Sequence, residues 1–273
     1  MPFRSDGMKG RWADMKFSTQ RPVRIVMLGA GGTGGHIAPH LYRLLHTLER
    51  PCRFIIADGD IVEQKNLVRQ NFIEADLGRN KAQVLAERYS AAFGLECEYI
   101  PEYIEDEKRL IELLKPKRLQ NGVGFTRGQM YVESCYELVI LIGAVDNNKS
   151  RQLCDRVFRQ VTPLVYIDSG NGEHIGQVVC GVRAGKRTVF KPVARLYPDI
   201  LEDEDKYPSE LSCEEMAFSA PQSIVANITA ATLTVNYVYN IVVRGELHTR
   251  AVHFSTTNLN ARPDLVPIRR KAA

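Results

Sequence analysis

Residues 24–35 read RIVMLGAGGTGG, an apolar run that passes directly into glycines. Ile25 to Leu28 have the character of a strand buried on both faces, and a helical pattern begins once the glycines end. Gly29, Gly31 and Gly34, with Gly32 between them, fit G-x-G-x-x-G. Glycines in that pattern allow a tight turn and close backbone approach, while the helix N-terminus after them points N–H groups at a phosphate. Many nucleotide-binding chains and some plain tight turns share the pattern, so its meaning rests on the residues downstream.

Ile37, Leu41, Leu44, Leu45 and Leu48 recur at helical spacing, and Pro51 closes that segment. Phe54 to Ala57 form a second buried strand ending in Asp58-Gly59-Asp60, so a carboxylate stands at the strand edge where open parallel sheets bind ligands. Asp58 comes after the glycine turn at roughly the interval of a ribose-binding acid. A helix is predicted over Lys81–Phe93 with Gly94 ending it, a third strand over Leu95–Ile104, and a short helix over Glu107–Leu114. Lys115 to Glu133 reads as a polar surface loop. Leu138 to Ile142 is a fourth buried strand, running into Gly143-Ala144-Val145-Asp146-Asn147-Asn148, with a helix over Arg151–Val161.

Two further strands are expected at Leu164–Ile167 and Ile175–Val182, the second antiparallel and half exposed, so the sheet is mixed. An acidic connection, Leu201–Glu215, leads to Cys213 and then to an uncharged stretch, Ser223–Val243, whose helix is predicted to begin near Ser219. Ala251 to Thr256 completes the strands, and the tail Arg262–Ala273 is predicted disordered. The alternation predicts an α/β fold, a Rossmann-like doubly wound mixed sheet. The expected organisation is a flexible arm over 1–22, one domain over 23–258 and a basic tail over 259–273. Within the domain, a nucleotide-binding half covers about 23–162 and a substrate-binding half about 163–258.

With 273 residues and 44% hydrophobic composition, the chain can bury a sizeable core. A net charge of +4 is only mildly basic, and no basic run is interleaved with aromatics, which argues against a nucleic-acid partner. The first 22 residues carry scattered charges and do not read as a secretory signal. Six dispersed cysteines without C-x-x-C pairs suit a reducing, cytoplasmic setting. Ser223–Val243 is long enough to span a bilayer, but Asn227, Thr229, Thr232, Thr234, Asn236 and Asn240 would be costly against lipid, so no membrane span is expected.

At Asp58–Gln70 the chain reads DGDIVEQKNLVRQ. Placed after the glycine turn, and succeeded by Lys81 and by Asp146-Asn147 at the end of the fourth strand, this resembles the ThiF/MoeB/HesA family and the adenylation domains of ubiquitin-activating enzymes. The plasmid-type PRTRC-system ThiF proteins form a subfamily that it also resembles. The resemblance covers Arg24 to Arg151 in order, with a looser continuation to Gly245. It implies ATP- and Mg2+-dependent adenylation of the C-terminal glycine of a ubiquitin-like or sulfur-carrier protein by a homodimer. On that resemblance, Arg69 and Lys81 are the catalytic cations and Asp146 the magnesium ligand. Asp58 would hold the ribose. Gly29, Gly31, Gly32 and Gly34 line the nucleotide together with Asp60, Asn66, Arg69, Gln70, Lys81 and Asn147, and Arg151 is a further candidate at the same rim. Such chemistry needs preorganised cations, because two anions are brought together and charge builds on leaving pyrophosphate.

Each residue also has a plainer reading: a loop arginine or lysine is commonly solvated, and Asp146 could cap the helix near Lys149. Two departures from the family stand out. Only Cys180 and Cys213 fall near the family's zinc-binding regions, so no structural zinc is expected. No R-Y-x-R-Q segment precedes Arg24, leaving Arg4, Arg11 or Arg21 as replacements. Cys213 is placed where relatives carry a cysteine that takes over the acyl group, yet Glu214 and Glu215 oppose thiolate formation. His36 and His40 on the first helix read as packing or surface residues. Two alternatives stay open: a non-catalytic binding subunit, and a NAD-dependent oxidoreductase that would use the glycines and Asp58 but leave Arg69, Lys81 and Asp146 without a shared task.

Overall fold

The structure, a computed structural model, describes residues 15–126, 129–210 and 221–265, and the side chains of all these except 120–134. In chain order the strands are β1 (Met15–Lys16), β2 (Val23–Leu28), β3 (Cys52–Ala57), β4 (Glu98–Ile100), β5 (Arg118–Thr126), β6 (Gln129–Tyr136), β7 (Leu138–Gly143), β8 (Leu164–Asn171), β9 (Ile175–Ala184), β10 (Arg187–Phe190), β11 (Glu246–Leu247), β12 (Thr249–Ser255) and β13 (Asn260–Leu265). The helices used below are α1 (Gly32–His46), α2 (Lys81–Phe93), α3 (Glu107–Leu114), α4 (Asn148–Phe158), α5 (Val193–Leu196), α6 (Asp199–Glu202) and α7 (Ile224–Tyr239).

The main sheet runs β13-β12-β9-β8-β7-β2-β3-β4, with β10 added against β9. Strands β8, β7, β2, β3 and β4 are parallel, and β9, β12 and β13 continue antiparallel. The fold is therefore a doubly wound, mixed α/β sheet. Its order reverses between β2 and β7, since β3 and β4 lie to one side and β7 and β8 to the other. That reversal opens a crevice beyond the carboxyl ends of the two strands. Alternate residues of the central strands feed two cores. Ile25, Met27, Phe54, Ile56 and Ile140 pack under α1, α2 and α7, whereas Val26, Leu28, Ile55, Val139 and Leu141 pack under α3, α4 and α5.

Local chemistry explains the helix ends. Asn80 and Asp106 accept from the backbone N–H groups of Gln83 and Arg109, starting α2 and α3, and Gly94 ends α2 in the left-handed region. Ser223 caps α7, which begins at Ile224 rather than near Ser219. After Tyr239 the chain takes a π-helical turn, Asn240–Arg244, closed by left-handed Gly245. Thr229, Thr232 and Thr234 donate to carbonyls four residues back, and Asn227 and Thr234 are fully buried. Among the described residues no helix is long and apolar enough to cross a membrane.

Several expectations need correction. Lys115–Glu133 is not a loop: β5 and β6 pair as an antiparallel ribbon. The third strand shrinks to Glu98–Ile100 within the expected Leu95–Ile104. Strand β9 is buried on both faces from Val178 to Val182, because α7 packs on one and α5 on the other. In the region expected as a free arm, Met15 and Lys16 pair with Leu247 and Glu246, and Phe17 donates to the Gly245 carbonyl at 2.8 Å. Residues 260–265, which include the start of the expected disordered tail at Arg262, form β13 against β12.

A buried ion pair, Arg24 with Glu137, sits against this core. Arg24 in β2 is 2% exposed, with Nη2 donating to Glu137 Oε2 at 2.6 Å and to the Lys115 carbonyl at 2.5 Å, and Nη1 to the Leu113 carbonyl at 2.9 Å. The Lys117 N–H also donates to Glu137 Oε2. The pair ties the end of α3 and the start of the ribbon to the sheet, and removing one partner would strand a buried charge. Glu137→Leu is expected to lower unfolding free energy by about 3–5 kcal/mol. Urea denaturation should show the double change Arg24→Met with Glu137→Leu recovering a large part of that loss.

Candidate nucleotide site

The crevice begins with the glycine turn. Ala144 N–H donates to the Leu28 carbonyl at 2.8 Å and Gly29 N–H to the Ala57 carbonyl at 2.9 Å, so the ends of β2, β3 and β7 meet there. Gly29 has φ +95°, and a Cβ on it would collide with the Ala144 carbonyl oxygen. A Cβ on Gly34 would strike the Gly29 carbonyl, and one on Gly32 would strike the Asn227 amide. Gly31 differs, since its Cβ would meet only the Gln70 side chain, at 3.8 Å. Gly31 is also the N-cap of α1 and offers no side-chain cap. The first-turn N–H groups of this helix therefore present donors and partial positive charge to whatever occupies the crevice.

Beside the turn lies a buried acidic corner. Asp58, 6% exposed, accepts from the Ala30 N–H through Oδ2 at 2.6 Å and from the Asp60 N–H through Oδ1 at 2.8 Å. Asp60 Oδ2 accepts from Lys81 Nζ at 2.7 Å, and Asp60 Oδ1 accepts from the Tyr103 hydroxyl. Asn80 Nδ2 donates to the Asp58 and Asp60 carbonyls, which fixes the start of α2 and hence Lys81 against this corner. Tyr103 lies over Gly59, where a Cβ would come within 2.6 Å of its ring. Burial, then the neighbouring Asp60 charge, raises the Asp58 carboxyl above its ordinary value to about 6, against the opposing pull of Lys81 and the two N–H donors.

On another side stands the turn that carries the arginine. Residues Gln64–Val68 form a 3-10 turn closed by Asn66 Oδ1 accepting from the Glu63 N–H at 2.9 Å. Arg69 comes next, half-buried, with Nη1 donating to Gln222 Oε1 at 3.0 Å and lying 2.7 Å from the point where a Gly32 Cβ would be. Gln70 is nearly buried, and its Oε1 has no partner among the described residues.

The last wall is the end of β7. Asn147, not Asp146, caps α4, its Oδ1 accepting from the Ser150 N–H at 2.8 Å. This leaves the Asp146 carboxylate exposed at the rim. Arg151 braces the same loop from beneath, donating to the Val145 carbonyl at 2.7 Å, to Asn148 Oδ1 at 3.1 Å and to Asp168 Oδ1 at 3.2 Å. Asp203 and Asp205 accept from the Asn148 side chain and backbone, laying the acidic connection over the start of α4.

The predicted site residues thus fall on three walls of one crevice. Asp58, Asp60 and Lys81 form one wall; Arg69, Asn66 and Gln70 a second; Asp146 and Asn147 the third. Tyr103 feels the charges of Asp58, Asp60 and Asp146 together, and they push its hydroxyl pKa upward after burial has done so. Cys213 lies outside the described residues. Sequence reasoning overlooked Tyr103, Asn171, Gln222 and the placement of Asn227 beside the glycine turn. Of these, Asn227 alone is singled out by the sequence, as one of several neutral polar residues in an uncharged helix. Among the described residues no group of three or more His, Cys, Asp or Glu is placed to hold a metal ion.

The raised Asp58 pKa has a definite sign. The folded chain keeps this proton up to about pH 6 while the unfolded chain releases it near 3.8, so the folded state binds more protons between those values. Its contribution to stability is therefore fullest near pH 4 and is lost as pH rises through 6, by about 3 kcal/mol. Urea unfolding from pH 4 to 7 should show this slope in the wild type and its removal in Asp58→Asn.

Comparison with solved structures gives the same fold. The chain resembles E. coli MccB crystallised with AMPCPP and selenomethionine MccA, at 17% identity and TM-score 0.59, covering 93% of this chain and 67% of that one. It resembles PaaA in selenomethionine form at 17% identity and TM-score 0.60, covering 92% and 66%. Against E. coli MccB with ATP the values are 16% and 0.57, covering 92% and 65%. The chain spans about two thirds of the length of these structures. No curated protein matches it. The ThiF family model matches residues 11–271, nearly the whole sequence. The chain belongs to the ThiF family.

Proposed function

We propose that this chain binds ATP with Mg2+ and adenylates the C-terminal carboxylate of a small protein or peptide, the preferred partner being a ubiquitin-like or sulfur-carrier protein ending in glycine. The observation that carries this reading is the meeting of a phosphate-type glycine turn, a buried acid, two cations and an exposed carboxylate at one strand-order reversal. Membership of the ThiF family supports it. So do the neighbouring MccB structures, one with ATP and another with AMPCPP and MccA.

Asp58 keeps acceptor capacity beyond its two backbone donors and would orient the ribose hydroxyls. The α1 N-terminus would receive phosphate oxygens. Arg69 and Lys81 would stabilise the charge that grows on departing pyrophosphate, Lys81 being held in place by Asp60. The substrate carboxylate oxygen would attack the α-phosphorus, the bond to pyrophosphate would break, and an acyl adenylate and pyrophosphate would result. Asp146 fits a magnesium role, being an exposed carboxylate that is not spent on capping α4. Held by Asp146, magnesium would supply positive charge to offset that of the phosphates. Cys213 belongs to the proposal as acceptor of the acyl group, its thiolate replacing AMP. Homodimeric assembly belongs to it too, supported by the uncovered Ile224, Val225 and Ile228 on α7.

Calorimetric titration tests the nucleotide reading. Saturable binding of Mg-ATP without binding of NAD is expected, with Arg69→Ala weakening ATP at least about tenfold. Binding of NAD in place of ATP would refute it. With a carrier protein present, Asp146→Ala should abolish magnesium-dependent exchange of pyrophosphate into ATP, and unaltered exchange would remove Asp146 from the mechanism.

A further inference from the structure

A buried amide beside the glycine turn points at a ligand that neither the motif nor the family reading assigns to it. Asn227 is 0% exposed, and its Nδ2 has no hydrogen-bond partner among the described residues. A relay fixes which way it faces. Thr33 Oγ1 donates to Asn171 Oδ1 at 2.9 Å, and Asn171 Nδ2 donates to Asn227 Oδ1 at 2.8 Å. Asn171 Nδ2 also reaches the Gly172 carbonyl at 3.4 Å, a contact that a reversed Asn171 amide would lose. With Asn171 so oriented, Asn227 must present oxygen to it and turn its nitrogen elsewhere.

That nitrogen faces Gly32, the first residue of α1. A Cβ at Gly32 would collide with Asn227 Nδ2 and lie 2.7 Å from Arg69 Nη1. One point therefore gathers an unpartnered amide donor, a guanidinium and the N-terminus of a fifteen-residue helix without a side-chain cap. The guanidinium, whose Nη1 also donates to Gln222 Oε1, and the helix end bring positive charge beside the amide. The buried Asn227 donor is costly left unmade, and beside a guanidinium and a helix N-terminus it is complemented by an acceptor that bears negative charge.

We infer that Asn227 is a binding residue for an anionic oxygen at the α1 N-terminus, held in its donor orientation by Thr33 and Asn171. The inference rests on the ATP reading above, in which that oxygen belongs to a nucleotide phosphate. The carboxylate of the incoming substrate offers the same chemistry, and the test separates the two.

The test titrates wild type, Asn227→Asp and Asn227→Ser with ATP, adenosine, inorganic pyrophosphate and a peptide ending in Gly-Gly, after each variant's melting temperature is measured. The aspartate keeps the acceptor that Asn171 needs and replaces the donor with an oxygen; the serine is smaller and carries the test if the aspartate does not fold. A loss of at least tenfold for ATP and pyrophosphate, with adenosine within twofold of wild type, is expected and identifies phosphate. A loss confined to the peptide supports the inference with carboxylate as the source. Equal losses for ATP and adenosine would mean a merely structural side chain, and no loss for any anion would mean no contact; either overturns it. A wild type that binds pyrophosphate but not ATP, with Asn227→Asp losing the pyrophosphate, would refute the ATP reading and leave this inference standing. A wild type that binds none of the four would refute both.

Discussion

The site depends on how closely the ends of β2 and β7 approach each other. Where strand order reverses, the connections leave in opposite directions, and a crevice survives only if the two strand ends meet without side chains between them. Gly29 meets that demand twice, by its positive φ and by the space that a Cβ would take from the Ala144 carbonyl. Gly34 meets it again one helical turn later, against the Gly29 carbonyl. With these contacts in place, α1 is aimed at the crevice, Asp58 is brought to the Ala30 N–H, and the loop bearing Asp146 starts from the same ladder.

Charge is then sorted around this geometry. The acidic corner holds two carboxylates close together, and the structure tolerates this because Lys81 faces Asp60 while Asp58 lies where burial favours its proton. Across the turn the groups are cationic or donate. A nucleotide has the complementary asymmetry, neutral hydroxyls on the ribose and anionic oxygens on the phosphates. On the ATP reading, the arrangement would set the two halves of that ligand apart by electrostatics.

The sequence disclosed those parts whose signal is local. Helices α2 and α3 begin and end where predicted, because Asn80, Asp106 and Gly94 set their ends and their apolar period is regular. The buried strands were legible for the same reason. The β5–β6 ribbon was not, since its polar, glycine-containing sequence lacks the alternation that marks a half-buried strand. Strand β13 was hidden by Pro263 and charges, which suit an edge strand and a loose tail equally well. At the site, Asp58, Asp60, Asn66, Arg69 and Gln70 stood together in one short stretch. Tyr103, Asn171 and Asn227 arrive from separate elements, and only the fold brings them near the glycine turn.

Helix α7 shows what a lack of charge can serve other than a bilayer. It packs against α1 behind the glycine turn, and neutrality there has its own physical cause. A carboxylate in place of Asn227 would oppose the anion drawn to the α1 N-terminus and Arg69, while a buried lysine or arginine would need a permanent partner. An amide carries neither cost. It can accept from Asn171 on one side and donate on the other, provided that the relay from Thr33 holds its orientation. Thr229, Thr232 and Thr234 satisfy their hydroxyls on the helix's own carbonyls, so Thr234, the buried one of the three, brings polarity into the core without seeking another partner. Among the described residues Asn227 and Tyr237 are the buried residues of α7 whose donors lack a partner, and Asn227 is the one that faces the glycine turn.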